Sequence, residues 1–216
     1  MKERFRSVNI TTVITGAVLL LFHSGISQAF VDGDFKKMEA SRPHQCVRCD
    51  LSAIDIGGWE MDHAILAFSK MTGTNLTYTE FENADLRDVD MNEANMGMAV
   101  LSEANLSNAR LENANLVSAT MNDAILTGAH LNGANLKDGN LLDANMSGAH
   151  FRKTNLSGVI LRNTNLDNAD MSGAILCNAD LRGASINGAI FAGAQLDGAR
   201  WVDGRTCKAQ SNGVCK

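Results

Sequence analysis

The 216-residue chain is short of residues that punctuate and fill an ordinary globular core. It has one proline, one tyrosine and two tryptophans, and its aromatic content is 5%. Such scarcity fits a repetitive, thin-walled structure. Basic residues are also in deficit, with 19 Lys and Arg against 24 Asp and Glu, a net charge of −5. Neutralising phosphates takes Lys and Arg, so direct nucleic-acid binding is not expected. The apolar run at residues 12–22 is too short to cross a bilayer comfortably. No nucleophile with its base, no phosphate loop and no metal signature at a suitable spacing is present. No catalytic residue, no cofactor and no enzymatic activity are therefore expected.

What is there is a rhythm of five. Ala104-Asn105-Leu106-Ser107-Asn108 is followed in phase by Ala109-Arg110-Leu111-Glu112-Asn113 and then by Ala114-Asn115-Leu116. The centre of each five is Leu, Met, Phe or Ile from Leu86 to Leu196. Two residues before each centre stands Ala, except at Val89, Gly139, Thr154, Val159 and Thr164. A step of five turns an α-helix by roughly 500°, so the centres would form no stripe on one. Within each five, Ala104 and Leu106 share one face of a short extended segment and Asn105 and Ser107 the other. Asn108 and Gly128 fall where a corner must reset the phase, and both tolerate positive φ. A chain that bends after every short strand winds into a coil with Leu and Ala pointing inward.

A second rhythm sets the size of the coil. Asn precedes the centres Met96, Leu106, Leu116, Leu136, Met146, Leu156 and Leu166, favouring every second five. Like then stacks on like only when the number of fives per coil is even. At a spacing of twenty, Asn75, Asn95, Asn115, Asn135 and Asn155 form one column. Amides stacked in this way can hydrogen-bond along the column.

These Ala-Asn-Leu-x-x and Ala-Asp-Leu-x-x tandems resemble the pentapeptide repeat proteins over about 150 residues, from near Cys49 to Trp201. The resemblance implies an all-β fold, a right-handed quadrilateral β-helix with four fives per coil. Seven to eight coils at about 4.8 Å per rung make a rod on the order of 37 Å long. A packed narrow coil offers no cleft for paired catalytic carboxylates.

The ends depart from the repeat. Met1-Lys2-Glu3-Arg4-Phe5-Arg6, the apolar run and Ser27-Gln28-Ala29 have the layout of a secretory signal peptide. Residues 1–29 are read as that signal, cleaved after Ala29, the alternative being an uncleaved anchor. Loss of Lys2, Glu3, Arg4 and Arg6 moves the net charge from −5 to −7. The mature protein is expected in a bacterial periplasm or secreted, with no stable membrane insertion. Residues 30–48 are read as an N-terminal cap, with Asp32 or Asp34 capping a short helix that carries Phe35 and Met38. Cys46 and Cys49 read as a structural disulfide in an oxidising compartment, or as redox or metal chemistry. Cys-x-x-Cys-Asp-Leu at the start of the coils also looks like exported members of the family. Residues 49–203 form the repeat. Its first coils are untidy, with Ile54, Trp59, Ser69, Thr74 and Thr79 in the Ala position. Trp59 is too large for that slot, so a distorted coil is expected, with Trp59, Phe68 and Tyr78 either a docking surface or ordinary end residues. Residues 204–216 form a C-terminal cap behind Trp201. The family-like ending Trp-x-Asp-Gly-Arg-x-Cys implies a Cys207–Cys215 disulfide loop and leaves Cys177 unpaired.

Function can be written only on outward positions. One outward column at a spacing of twenty reads Asp90, Arg110, His130, His150, Asp170, Ile190. His130, His150 and Asp170 are a candidate weak metal site. Acidic residues crowd residues 80–123, and basic ones outnumber them from His150 onward, a polarity suited to docking a basic partner. The leading expectation is an exported, non-enzymatic scaffold with an unnamed protein partner and unassigned oligomeric state. The resemblance implies a second activity, that of an acidic mimic of DNA that binds a type II topoisomerase and protects it from quinolones. A metal-binding or redox protein is the third.

Overall fold

The computed structural model describes residues 28–216. The expected signal peptide lies outside these residues except for Gln28 and Ala29. Those two begin a helix, α1 (Gln28–Ala40), which is followed by a continuous solenoid. Among the described residues no helix is long and apolar enough to cross a membrane.

Each five closes a tight turn. The N–H of Ala109 donates to the Leu106 carbonyl at 3.0 Å, and Asn108 between them has φ 57°. The fold repeats this unit with no slip of phase. Parallel bridges join Gln45 to Ile65, Ile65 to Asp85, and so on at a constant spacing of twenty as far as Asp180 and Arg200. Four fives therefore make one coil, and roughly eight coils stack. The contacts between coils are single-residue bridges and not extended strands. The expected strands are shorter than a regular sheet because a corner follows each bridge before a second residue can pair.

The core is the inside of the coil. Leu106, Leu126 and Leu166 are fully buried, as are Ala104, Ala124 and Ala109 beside them. Where a hydroxyl replaces Ala it stays buried by donating to a carbonyl, of its own turn at Thr164 and of the coil below at other sites. Thr74 Oγ1 donates to Leu51 O at 2.9 Å, Thr79 Oγ1 to Ile56 O at 3.0 Å and Thr154 Oγ1 to Leu131 O at 2.7 Å. A satisfied hydroxyl avoids most of the desolvation cost of an unpaired one.

The outer face follows a different rule from the expected amide ladder. Among the described residues only Asn115 donates to its Asn neighbour below, Nδ2 to Asn95 Oδ1 at 2.8 Å. The usual role of Asn or Asp before a centre is to accept the N–H two residues on, as Asn105 does from Ser107 at 3.1 Å and Asn145 from Ser147 at 3.2 Å. That N–H lies outside the ladder, and a short side chain folding back on the backbone satisfies it. Where the preceding residue is Arg or His, help comes from the coil below. Glu112 N–H donates to Asn92 Oδ1 at 2.8 Å, and Arg152 N–H to Asn132 Oδ1 at 3.0 Å.

Both ends are covered. Asp34 lies within α1 and does not cap it, since the helix starts earlier than the sequence suggests. Its Oδ2 accepts the Asp50 N–H at 3.0 Å and ties the helix to the first coil. Met38 of α1 is fully buried. Trp59 does not distort its coil, because it turns toward the cap. Its ring lies 5.6 Å from Phe35 and 5.9 Å from His44, while Glu60 keeps its bridge to Glu80. At the far end, the chain folds back antiparallel through Arg200 to Thr206 and Gln195 to Asn212. Phe191 and Trp201 pack edge to face at 5.2 Å there.

Candidate interaction surface

The outward positions sort into paired and unpaired charge. Some outward acids have basic neighbours. Asp85 pairs with Arg87 at 2.7 Å, Glu112 with Arg110 at 3.5 Å and Asp50 with Lys70 at 3.9 Å. The side-chain hydrogen bond from Arg87 lowers the Asp85 pKa against the opposing effect of burial, and Arg182 does the same for Asp180. The side that runs from Glu60 to Arg200 holds the Asp180–Arg182 pair near its far end and a run of acids at its start. Glu60, Asp62, Glu80, Glu82, Glu103 and Asp123 follow one another up it, and none of them is in an ion pair among the described residues. Glu60 bridges directly to Glu80, placing like charges on adjacent rungs, an arrangement that costs stability.

The corner leading into this side carries Tyr78 and Met98. They are 60% and 50% exposed, and their φ values are 59° and 58°. Half of the non-glycine residues at such corners are Asn or Asp, which tolerate the left-handed region. A large apolar side chain here accepts backbone strain and remains in water. Phe68, at φ 62° and 51% exposed, breaks the same rule on another corner, where the Arg48 guanidinium sits 5.5 Å from its ring centroid. Of the residues read from the sequence as a docking surface, Phe68 and Tyr78 are exposed and Trp59 belongs to the cap. Met98 was missed, although a Met in an Asn or Gly position was visible in the repeat.

His130 and His150 are neighbours as the column requires, their rings stacked at 4.7 Å and 23°. Asp170 does not join them. Its Oδ1 accepts from Ser172 and its Oδ2 from Arg152, at 2.6 and 2.5 Å. The Ser172 hydroxyl, then its N–H and Arg152, hold the Asp170 pKa down to about 2 against burial. Among the described residues, the one group of three whose ligand atoms lie within 4.8 Å of one another is Asp34, Cys46 and Cys49. Cys46 and Cys49 stand at disulfide distance, as do Cys207 and Cys215, and Cys177 is free and half-buried.

No curated protein sequence matches the chain. Among solved structures, trypsin-treated QnrB1, described as a plasmid-mediated fluoroquinolone resistance protein, is similar with a TM-score of 0.63 and 19% identity, over 69% of this chain and 80% of that one. HetL, from the cyanobacterium Nostoc sp. strain PCC 7120, is described as involved in heterocyst differentiation regulation. It aligns over 75% of this chain and 91% of its own at 26% identity, with a TM-score of 0.27. A pentapeptide repeat protein of the Arabidopsis thaliana thylakoid lumen aligns over 48% and 68% at 27% identity, with a TM-score of 0.36. The family model described as Pentapeptide repeats matches residues 64–102, 94–133, 129–168 and 164–200, with 8 copies. With its centres, corners and twenty-residue bridges in that same phase, the chain belongs to the pentapeptide repeat family.

Proposed function

We propose that this chain is an exported, non-enzymatic docking protein, a right-handed quadrilateral β-helix whose acidic side receives a basic protein partner. The observation that carries this reading is the stretch of acids from Glu60 to Asp123 on one side, none of them in an ion pair among the described residues, with Tyr78 and Met98 on its bordering corner. Uncompensated like charge and exposed apolar bulk at left-handed corners both cost folding stability. Positions that break local rules without a structural return are where a binding role is expected. Acidic residues would steer a basic partner to the surface and fix its register, and the two apolar side chains would supply desolvated contact. The basic segment at residues 1–6 and the apolar run behind it support export.

Photo-crosslinking in the producing cell tests the reading, with the reactive group at position 78 or at position 158 on the same corner. Adducts specific to position 78 that disappear in a Glu80→Lys, Glu82→Lys variant are expected. Equal adduct patterns from both positions overturn it. The second reading, an acidic mimic of DNA acting on a type II topoisomerase, draws on the same acidic side, while the likeness to QnrB1 at 19% identity is one of fold. A gyrase supercoiling assay with the purified protein separates the two readings, since the docking reading expects no effect at micromolar protein.

A further inference from the structure

We propose that the reduced Cys46–Cys49 pair, with the Asp34 carboxylate, is a redox-gated binding site for a soft divalent cation of the zinc class. The two cysteines occupy successive inward positions at the start of the first coil, Cys46 a centre and Cys49 an Ala slot, and both are buried. Asp34 comes from α1. Its ligand oxygen and the two sulfurs lie within 4.8 Å of one another. Two thiolates and a carboxylate form a donor set that suits zinc, with the fourth position left to water.

The site does not depend on the sulfur–sulfur bond for its shape. Ser69, in the Ala slot of the next coil, brackets the loop: its hydroxyl donates to the Cys46 carbonyl and accepts the Cys49 N–H at 3.0 Å. Ladder bonds fix the same backbone, Cys46 N–H to Ile65 O at 2.8 Å, Arg48 N–H to Ala67 O at 3.1 Å and Lys70 N–H to Cys49 O at 2.8 Å. The Cα atoms of the two cysteines are held 5.4 Å apart. Two thiolates on one zinc at about 2.3 Å each stand about 3.8 Å apart, which side-chain rotation alone can reach from this backbone. Asp34 is positioned in turn by its Oδ2, which accepts the Asp50 N–H, so its other oxygen is free to ligate.

The gate is a balanced exchange. A dithiol reductant gives two electrons and two protons to the Cys46–Cys49 disulfide and becomes a cyclic disulfide, leaving two thiols. The cation then displaces both thiol protons to solvent, so binding strengthens as pH rises. A cyclic disulfide of the same class reverses the exchange: it takes two electrons from the two thiolates and two protons from solvent, leaves as the dithiol, and the ion is expelled because the restored disulfide has no thiolate to offer.

The test uses the full chain, oxidised or reduced with dithiothreitol under nitrogen and freed of reductant. Cobalt(II) reports thiolate ligation optically, and zinc is titrated by calorimetry. The expected result is no thiolate-to-cobalt band in the oxidised chain and one equivalent bound in the reduced chain, with release of two protons. Asp34→Asn keeps an oxygen to accept the Asp50 N–H and should weaken zinc by about tenfold or more. Cys207→Ser should change nothing. A folded reduced chain with no band overturns the proposal, as does a band that survives Cys49→Ser or unchanged affinity in Asp34→Asn. Far-UV circular dichroism confirms that each variant keeps the coil.

Discussion

The Asn108 carboxamide oxygen lies 2.8 Å from the point where a Cβ on Gly128 would stand. Each residue sits at the left-handed corner of its coil, one directly above the other, with φ 57° and 66°. Asn113 and Gly133 repeat the relationship at 2.6 Å. At these pairs, and at Asn163 with Gly183 and Asn178 with Gly198, the corner Asn leans over the next coil where that coil has glycine.

This makes two glycines of the same column unequal. Gly148 also has φ 66°, but nothing lies within 4 Å of its would-be Cβ. Gly148→Ala should cost about 1 kcal/mol, the price of the left-handed backbone alone. Gly128→Ala should cost more, because the Asn108 side chain must also give way. Because Ala at the Asn108 corner has its own left-handed cost, the expectation is non-additivity: Asn108→Ala with Gly128→Ala should cost less than the two single changes summed. Urea midpoints of wild type, the three single variants and the double variant measure the coupling, and equal losses at the two glycines would refute it.

The exposed apolar corners should behave oppositely for stability and for binding. Tyr78→Asn with Met98→Asn places a residue that tolerates positive φ where two strained ones stood. Stability should hold or rise by about 0.5 kcal/mol, while crosslinking through the acidic side is lost. A fall of stability beyond about 1 kcal/mol would show that the two side chains serve packing instead.

Asp170 should make stability depend on acid. Its pKa falls in the folded chain from the usual 3.8 to about 2, first through the Ser172 hydroxyl and also through Arg152. A folded value below the unfolded one stabilises the protein above the unfolded pKa, and the gain is lost as pH drops from about 4 to 2. Asp170→Asn should therefore lower the urea midpoint at neutral pH and match wild type near pH 2. A gap that stays constant across this range would remove the carboxylate as its cause.

The interior predicts losses that stay near the mutated coil. Leu116 is fully buried between Ala114 and Ala119. Leu116→Ala should cost about 2–5 kcal/mol. Contacts in a solenoid run only between adjacent coils. Hydrogen exchange should therefore rise most in the coil of Leu116 and its two neighbours and least at α1 and Trp201. Uniform loss of protection would show that the rod unfolds as one unit.

The amino-acid sequence by itself determined the coil. In a solenoid each five meets only its own neighbours and the residues twenty away, so the local pattern of Ala, Leu and Asn is also the packing pattern. Inside and outside, the corners at Asn108 and Gly128 and the stacking of His130 on His150 were legible for that reason. The tertiary structure decided what depends on competition between side chains or on chain outside the repeat. Spacing placed Asp170 beside His150, but Arg152 and Ser172 take its oxygens, and which donor wins is a matter of rotamer and distance. Trp59 looked like a fault in a coil until Phe35 of α1 gave it a partner. Asp34 reaches Cys46 and Cys49 only because the helix folds back over the first coil, a contact that follows no period and so left no mark in the sequence.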